Sequence, residues 1–159
     1  MCRVASLSMT ADCVFCRIPA REDAGHSRKA DVVFRSPETT VFVGTGRWTD
    51  KYSNVLVIQK DHYESLFDLP DELASLLHHT GRIVADGLVD VFECDSISVR
   101  QDNRPAGGQE VLHWHIHLTP RYPNDVGAPK SADKEFTDDN ARAECARQLR
   151  SHLEHDSHT

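Results

Sequence analysis

The sequence has no apolar stretch that approaches the roughly 18 residues of a membrane-spanning helix, so we expect no membrane partner. Its start, MCRVASLSMTADC, lacks the apolar core of a signal peptide and predicts a loose arm over residues 1–12. The chain also lacks an excess of basic residues, because 18 Lys and Arg stand against 25 Asp and Glu for a net charge of −7. This balance argues against nucleic acid as a partner.

The chain has few cysteines, and their number is odd. The five residues are Cys2, Cys13, Cys16, Cys94 and Cys145. With no export signal in view, this count favours reduced thiols and a cytoplasmic location over a disulfide framework. The chain has 159 residues and no internal repeat or low-complexity segment, so it predicts one domain with a sizeable core.

Runs of β-branched and aromatic residues predict five strands, and two stretches of helical periodicity predict two helices. The strands are DVVFR (31–35), TTVFVGT (39–45), NVLVIQ (54–59), SISVR (96–100) and a histidine-rich stretch that follows. One helix is expected over about 70–92, and another from a cap at Thr137 to about Leu153. Short connections between strands favour antiparallel pairing, so the predicted class is α+β.

The stretch HWHIHLTPRY, residues 113–122, has histidines at its first, third and fifth positions. This alternation predicts a half-buried strand whose apolar spacers face the core and whose histidines face the other way. The spacers are Trp114, Ile116 and Leu118, and the histidines are His113, His115 and His117. At about 3.3 Å per residue the outer histidines lie about 13 Å apart, too far to share one zinc ion. We therefore expect them to have different roles, with a merely histidine-rich polar face as the alternative.

Cys13 and Cys16 form a CxxC pair, which could be a redox pair, half of a zinc site or two free thiols. A redox motif should follow a strand and start a helix, and CVFCRIPARED shows neither pattern. The half-site is favoured, and it needs two more ligands. His62, just after the third strand, and His113 are the natural candidates.

The loop AGGQ, residues 106–109, leads into the histidine strand. Its glycines let the backbone approach a ligand, and the side-chain amides of Asn103 and Gln109 could bind an anion such as phosphate. An ordinary glycine-rich connection is the alternative. The other histidines are predicted to be ordinary surface or helix residues, namely His26, His78, His79, His152, His155 and His158.

These motifs together resemble the histidine-triad (HIT) superfamily, whose motif is His-φ-His-φ-His-φ-φ with φ apolar. HWHIHLT matches it with Thr119 at the last position, and CVFCRI, NVLVIQKDHYESLFDLP and QDNRPAGGQEVLHWHIHLTPRY resemble further stretches of bacterial members. The resemblance covers about residues 13–123. It divides the chain into the arm (1–12), a HIT domain (13–123) and a C-terminal extension with a helix (124–159).

The resemblance implies an antiparallel sheet of about five strands with two helices, in a protein that usually forms a homodimer. It implies cleavage at the α-phosphate of a nucleoside phosphoramidate or a dinucleoside polyphosphate through a covalent nucleotidyl-histidine. The role of nucleophile falls on His115, and contact with phosphate falls on His117, Asn103 and Gln109. A zinc-containing bacterial branch holds a structural zinc at four positions that match Cys13, Cys16, His62 and His113.

Two departures from the family pattern keep other functions open. Ser53 and Asn54 stand where members usually carry Gly-His, and Gly46 aligns with an acidic residue that often holds the ribose. These changes motivate a non-catalytic nucleotide-binding module as the second hypothesis. A metalloenzyme whose His113 and His115 hold a catalytic zinc with an open position is the third.

Overall fold

An antiparallel sheet and two long helices make up the part of the chain that the computed structural model describes, residues 12–20, 23–47, 53–123, 125 and 135–156. The helices are α1 (Val14–Arg17), α2 (Asp71–Phe92) and α3 (Asp139–Asp156). The strands are β1 (Val32–Arg35), β2 (Thr39–Arg47), β3 (Ser53–Gln59), β4 (Ser96–Arg100), β5 (His115–Arg121) and β6 (Glu135–Phe136). No helix in these ranges combines the length and apolar character that crossing a bilayer requires.

The five principal strands lie in the order β1-β2-β3-β5-β4, and every pair is antiparallel. The two-residue strand β6 pairs with the end of β2. This arrangement confirms the predicted α+β class. In the central pair, Leu56 lies opposite His117 and Ile58 opposite His115. Because directly opposite residues share a face of the sheet, the two histidines lie on the face of Leu56 and Ile58.

The apolar spacers of the histidine strand lie in the main core, as predicted. Trp114, Ile116 and Leu118 are at most 1% exposed. They belong to one cluster with the buried residues of α2 and α3, so the helices cover this face of the sheet. A second, smaller cluster on the other face includes Phe42, Leu56 and Ile58, and Phe15 of α1 packs against it. The N-terminal segment therefore covers the face that carries His115 and His117.

Helix α2 matches the expected range of about 70–92. It begins at Asp71 after Pro70, which is the N-cap, and Asp71 and Glu72 place negative charge in its first turn. Its buried positions include Leu77, Val84 and Leu88. This spacing is the apolar stripe that the sequence predicted.

Helix α3 differs from its prediction at both ends. Its cap is Asp138 instead of Thr137, because the Asp138 carboxylate accepts the backbone N–H of Asn140 at 2.9 Å and of Ala141 at 3.2 Å. The helix continues to Asp156, beyond the expected end at Leu153. Its residues Cys145, Ala146 and Leu149 are buried in the main core. The helix of the C-terminal extension therefore contributes to the core.

Buried Arg142 connects α3 to the segment that precedes β1. Its guanidinium pairs with Asp31 at 3.1 Å and with Asp139 at 2.7 Å. It also donates to the backbone carbonyls of His26, at 2.9 Å, and Thr137. Both Arg142 and Asp31 have side chains only 1% exposed. This ion pair was not expected from the sequence.

Candidate functional site

A cavity of about 640 Å³ opens on the sheet face that carries the second and third histidines of the motif. Phe15 of α1, Phe42 of β2 and Leu56 of β3 give it an apolar wall. His115 and His117 of β5 line it as well. An apolar cavity with a few convergent polar groups is the usual form of a small-molecule site.

The ring of His115 is held by a hydrogen bond from one of its two nitrogens. Its Nδ1 donates to the backbone carbonyl of His113 at 2.6 Å, which leaves the lone pair on Nε2. The ring packs edge-on against Phe15, at 5.1 Å between centroids, and against His117, at 4.7 Å. A neutral imidazole that is fixed in this way is suited to act as a nucleophile.

The ring of His117 contacts Asn54, the residue that replaces the histidine typical of the family. The side-chain N–H of Asn54 donates to Nδ1 of His117, so the proton of the neutral His117 ring resides on Nε2. Asn54 is 1% exposed, and its Oδ1 has no hydrogen-bond partner among the described residues. A Cβ at Gly44 would lie 2.3 Å from this oxygen, so the absence of a side chain there makes room for Asn54. His117 is thereby prepared to donate a hydrogen bond from Nε2.

The predicted zinc ligands Cys13, Cys16, His62 and His113 lie together, with their ligand atoms all within 4.8 Å of one another. Sγ of Cys13 and Sγ of Cys16 each lie 3.5 Å from Nδ1 of His113, and Sγ of Cys16 lies 3.3 Å from Nδ1 of His62. A tetrahedral zinc with bonds of about 2.3 Å to sulfur and about 2.05 Å to nitrogen separates two such atoms by about 3.6 Å. The cluster therefore has the dimensions of a zinc site.

The orientation of His113 also fits metal ligation. Its Nε2–H donates to the backbone carbonyl of Gln59 at 2.7 Å, which turns the lone pair of Nδ1 toward the thiols. Burial is the main cause that lowers the pKa of His113 to about 4, so the ring is neutral as a ligand must be. Both ring nitrogens of His113 are thus committed. The cluster of potential metal ligands among the described residues contains His113 but not His115, which disfavours the metalloenzyme hypothesis.

The predicted phosphate ligands in the loop that enters β5, Asn103 and Gln109, form hydrogen bonds to other residues of the protein. The Gln109 amide donates to the carbonyls of Glu64 at 2.6 Å and Val111 at 3.0 Å and accepts the N–H of Arg104 at 2.6 Å. Oδ1 of Asn103 accepts the N–H of Leu66 at 2.8 Å. Neither Asn103 nor Gln109 lines the cavity, whereas their neighbours Asp102, Gly108 and Glu110 do. Direct contact of these amides with phosphate stays a prediction, and the structure favours an indirect role in shaping the loop.

Strand β5 begins at His115, two residues later than the histidine pattern suggested. The N–H of Trp114 donates to the carbonyl of Tyr63 at 2.6 Å, outside the ladder of the sheet. This contact directs His113 toward the cysteines while His115 and His117 stay on the cavity face. The departure from regular strand geometry separates the metal ligand from the other two histidines.

Three charged residues that were not expected at the site line the cavity beside the glycine loop. Arg100 lies opposite His117 in the β4–β5 pair, and its Nε contacts the Asp102 carboxylate at 2.8 Å. Glu110 lines the cavity as well. One guanidinium and two carboxylates give this group a formal charge of −1. The pairing of β4 with β5, which the sequence does not show, is what places Arg100 opposite His117.

Two aromatic residues at the cavity were also missed. His26, predicted to be an ordinary surface residue, is exposed but lines the cavity and stacks on Phe136. Of the other histidines in that class, His78, His79 and His155 are exposed and His152 is partly buried on α3, while His158 lies outside the described residues. No local pattern marks His26 or Phe136, because they are 110 positions apart in the sequence.

Comparisons with known proteins agree with this architecture. The family model described as HIT domain matches residues 27–124. The protein called Protein hit of Bacillus subtilis is 30% identical over 111 residues, which cover 70% of this chain and 72% of that protein. The adenosine 5'-monophosphoramidase HNT1 of Saccharomyces cerevisiae is 28% identical, over 74% and 67% respectively. The adenylylsulfatase HINT3 of Arabidopsis thaliana is 26% identical, over 77% and 59%.

Solved structures show the same fold over most of the chain. A Hit-like protein from Bartonella henselae superposes with a TM-score of 0.77 at 21% identity, covering 91% of this chain and 98% of that one. A zinc-bound histidine triad family protein from Mycobacterium smegmatis gives a TM-score of 0.70 at 25% identity, covering 92% and 97%. The antiparallel sheet, the histidine strand and the family match lead to one conclusion: this chain belongs to the HIT domain family.

Proposed function

We propose that this protein is a nucleotidyl hydrolase or transferase that cleaves its substrate at the α-phosphate through a covalent intermediate on His115. The observation that carries the proposal is the bond from Nδ1 of His115 to the His113 carbonyl, which leaves Nε2 unprotonated at the cavity. Relatives named as an adenosine 5'-monophosphoramidase and an adenylylsulfatase support it, since both names describe an adenylyl group.

The proposed reaction has two steps. Nε2 of His115 attacks the α-phosphorus, a P–N bond to the imidazole forms, and the bond to the leaving group breaks as that group takes a proton from solvent. Water then attacks the same phosphorus and gives up a proton to solvent, the P–N bond breaks with its electron pair returning to Nε2, and the mononucleotide is released. Nε2–H of His117 donates to a phosphoryl oxygen and stabilises the charge that develops in both steps. Asn103 and Gln109 are proposed to shape the loop beside the phosphate, because the N–H groups of Gly107, Gly108 and Gln109 already donate to carbonyls within that loop.

The charges in the cavity favour an amine leaving group. A dinucleoside polyphosphate brings additional phosphates, which need cationic partners. The group of Arg100, Asp102 and Glu110 offers one cation already paired with a carboxylate. A phosphoramidate adds no anion beyond its α-phosphate, and the released amine is attracted by carboxylates. We therefore propose nucleoside phosphoramidates as the preferred substrate class.

We propose that Cys13, Cys16, His62 and His113 hold one zinc ion whose role is structural. A closed set of two thiolates and two imidazoles leaves no open position for substrate. Bound zinc would fix α1, which carries Phe15 to the cavity wall, relative to the loop after β3 and the residue before β5. The zinc-bound relative from Mycobacterium smegmatis supports this assignment.

A homodimer in the cytosol is proposed as the state of the protein. Strand β4 is at the edge of the described sheet, and Val99 on it is 59% exposed. An edge strand that exposes an apolar side chain is suited to pair with a second copy across a two-fold axis. None of the four described cysteines forms a disulfide, which fits a reducing compartment.

Turnover measurements test the proposal. Adenosine 5'-phosphoramidate and diadenosine polyphosphates should be supplied to wild type, His115→Asn and His117→Asn at equal concentrations. We expect hydrolysis of the phosphoramidate, no turnover by His115→Asn, and a rate lowered about 10²-fold by His117→Asn, as for loss of one oxyanion donor. Binding of AMP without turnover of any of these substrates would instead favour the non-catalytic module.

A further inference from the structure

Two rings at the cavity wall have no part in the reaction proposed above. Phe136 is 66% exposed, yet it stacks on His26 with ring centroids 4.4 Å apart and planes inclined by 32°. Both residues line the cavity that holds His115 and His117. Single exposed aromatic residues are common on protein surfaces. This pair differs because it forms part of the wall of a cavity.

The backbone next to each ring is firmly held. Residue Phe136 is paired with Gly46 in the β6–β2 ladder, and the N–H of Thr137 donates to the carbonyl of Thr45 at 2.9 Å. Arg142, whose side chain is 1% exposed, donates to the carbonyls of both Thr137 and His26. One buried guanidinium thus ties down the two segments that carry the rings. The backbone hydrogen bonds beside the two rings therefore fix the position of the aromatic pair, although Phe136 itself is largely exposed.

We propose that His26 and Phe136 form an aromatic wall against which the nucleobase of the bound nucleotide stacks. This inference rests on the proposed function, because the nucleotide is the ligand that reaches His115. Flat aromatic faces favour stacking with bases, and the charged group of Arg100, Asp102 and Glu110 accompanies the glycine loop instead. The phosphate is therefore expected near the loop and the base near the aromatic pair.

Both members of the aromatic wall lie outside residues 27–124, the part of the chain that matches the HIT domain. His26 directly precedes that range and Phe136 follows it by twelve positions. The flanks of the matched domain would therefore determine base affinity. This gives β6, which carries Phe136, a function beyond its pairing with β2.

Binding of AMP and of ribose 5-phosphate, which lacks the base, tests the inference by calorimetry. Base stacking on an aromatic side chain contributes enough for Phe136→Ala to weaken AMP binding about 5- to 150-fold. Binding of ribose 5-phosphate should not change, and Phe136→Trp should retain AMP affinity. Phe67→Ala is the matched control, since Phe67 is also 66% exposed but lies outside the cavity and stacks on Arg104. In turnover, Phe136→Ala should raise KM by a larger factor than it lowers kcat.

The outcomes separate this inference from the proposed function. If wild type binds AMP more tightly than ribose 5-phosphate and Phe136→Ala removes the difference, the aromatic wall is supported. If Phe136→Ala binds AMP as wild type does, the wall is refuted while the nucleotide site stands. If it loses affinity for both probes equally, the base does not stack there. If wild type binds neither probe, the proposed function fails and the inference fails with it.

Discussion

Removal of one buried residue of the proposed zinc site, Cys16→Ala, should abolish metal binding and lower stability by an amount that the structure allows to be estimated. Cys16 is 2% exposed and contacts His113, 97 positions away, and His62, 46 positions away. Closing a loop of about 100 residues with a cross-link removes about 4.7 kcal/mol of chain entropy from the unfolded state. For a chain of this size about 1 kcal/mol corresponds to 2–4 °C, so loss of the metal should lower Tm by roughly 10–20 °C.

The assay is thermal unfolding with and without chelator, combined with metal analysis of the purified protein. Cys145→Ala is the matched control, because Cys145 is a buried thiol, 7% exposed, that lies in the main core. Both substitutions remove a buried sulfur, which costs about 1 kcal/mol in lost packing. Only Cys16→Ala should also lose zinc. Wild type and Cys145→Ala should each carry one zinc per chain and lose stability when it is removed.

Two results would refute this reasoning. Cys16→Ala protein that retains one zinc per chain would show that the ligand set is different. Wild-type protein whose Tm is unchanged after verified removal of the metal would show that the cluster does not contribute to folding.

Further predictions concern three other residues. Asn54→Ala should lower kcat about tenfold with zinc content intact, because the hydrogen bond that fixes the tautomer of His117 is lost. ¹⁵N NMR of the His117 ring in wild type and in the variant measures the tautomer. An unchanged tautomer in the variant would contradict the prediction. Arg142→Met should destabilise the fold by about 3–5 kcal/mol in urea unfolding, because it leaves the buried carboxylate of Asp31 without its partner, and a cost below about 1 kcal/mol would exclude this. Val99→Lys should convert the proposed dimer to a monomer by light scattering, and a stable dimer of the variant would rule out β4 as the interface.

The sequence predicts the parts of the fold that depend on local periodicity. Alternation in HWHIHLT places Ile116 in the core and His115 on the opposite face, because strand side chains alternate whatever the strand packs against. The apolar stripe of α2 is also predictable from local periodicity, because Leu77, Val84 and Leu88 follow helical spacing. The clustering of Cys13, Cys16, His62 and His113 is predictable because few residue types bind zinc and the chain offers few of them.

The sequence does not predict features that depend on contacts between distant segments. Arg142 and Asp31 are 111 positions apart, and nothing local in the sequence distinguishes Arg142 from Arg147 and Arg150 of the same helix. The displacement of His113 out of β5 requires the Tyr63 carbonyl, which only the folded chain brings to Trp114. The hydrogen bonds of Gln109 are likewise not predictable, because the sequence does not show which backbone carbonyls lie near its side chain.

The central claim is that His115 alone of the three histidines becomes covalently linked to the nucleotide. It is tested most directly by mixing the protein with adenosine 5'-phosphoramidate, quenching in alkaline denaturant within one turnover, and mapping the adenylyl group by mass spectrometry. We expect the adduct on His115 in wild type, no adduct in His115→Asn protein that still holds zinc, and loss of zinc in His113→Asn. An adduct on His113 or His117, or hydrolysis by His115→Asn at the wild-type rate, would contradict the account.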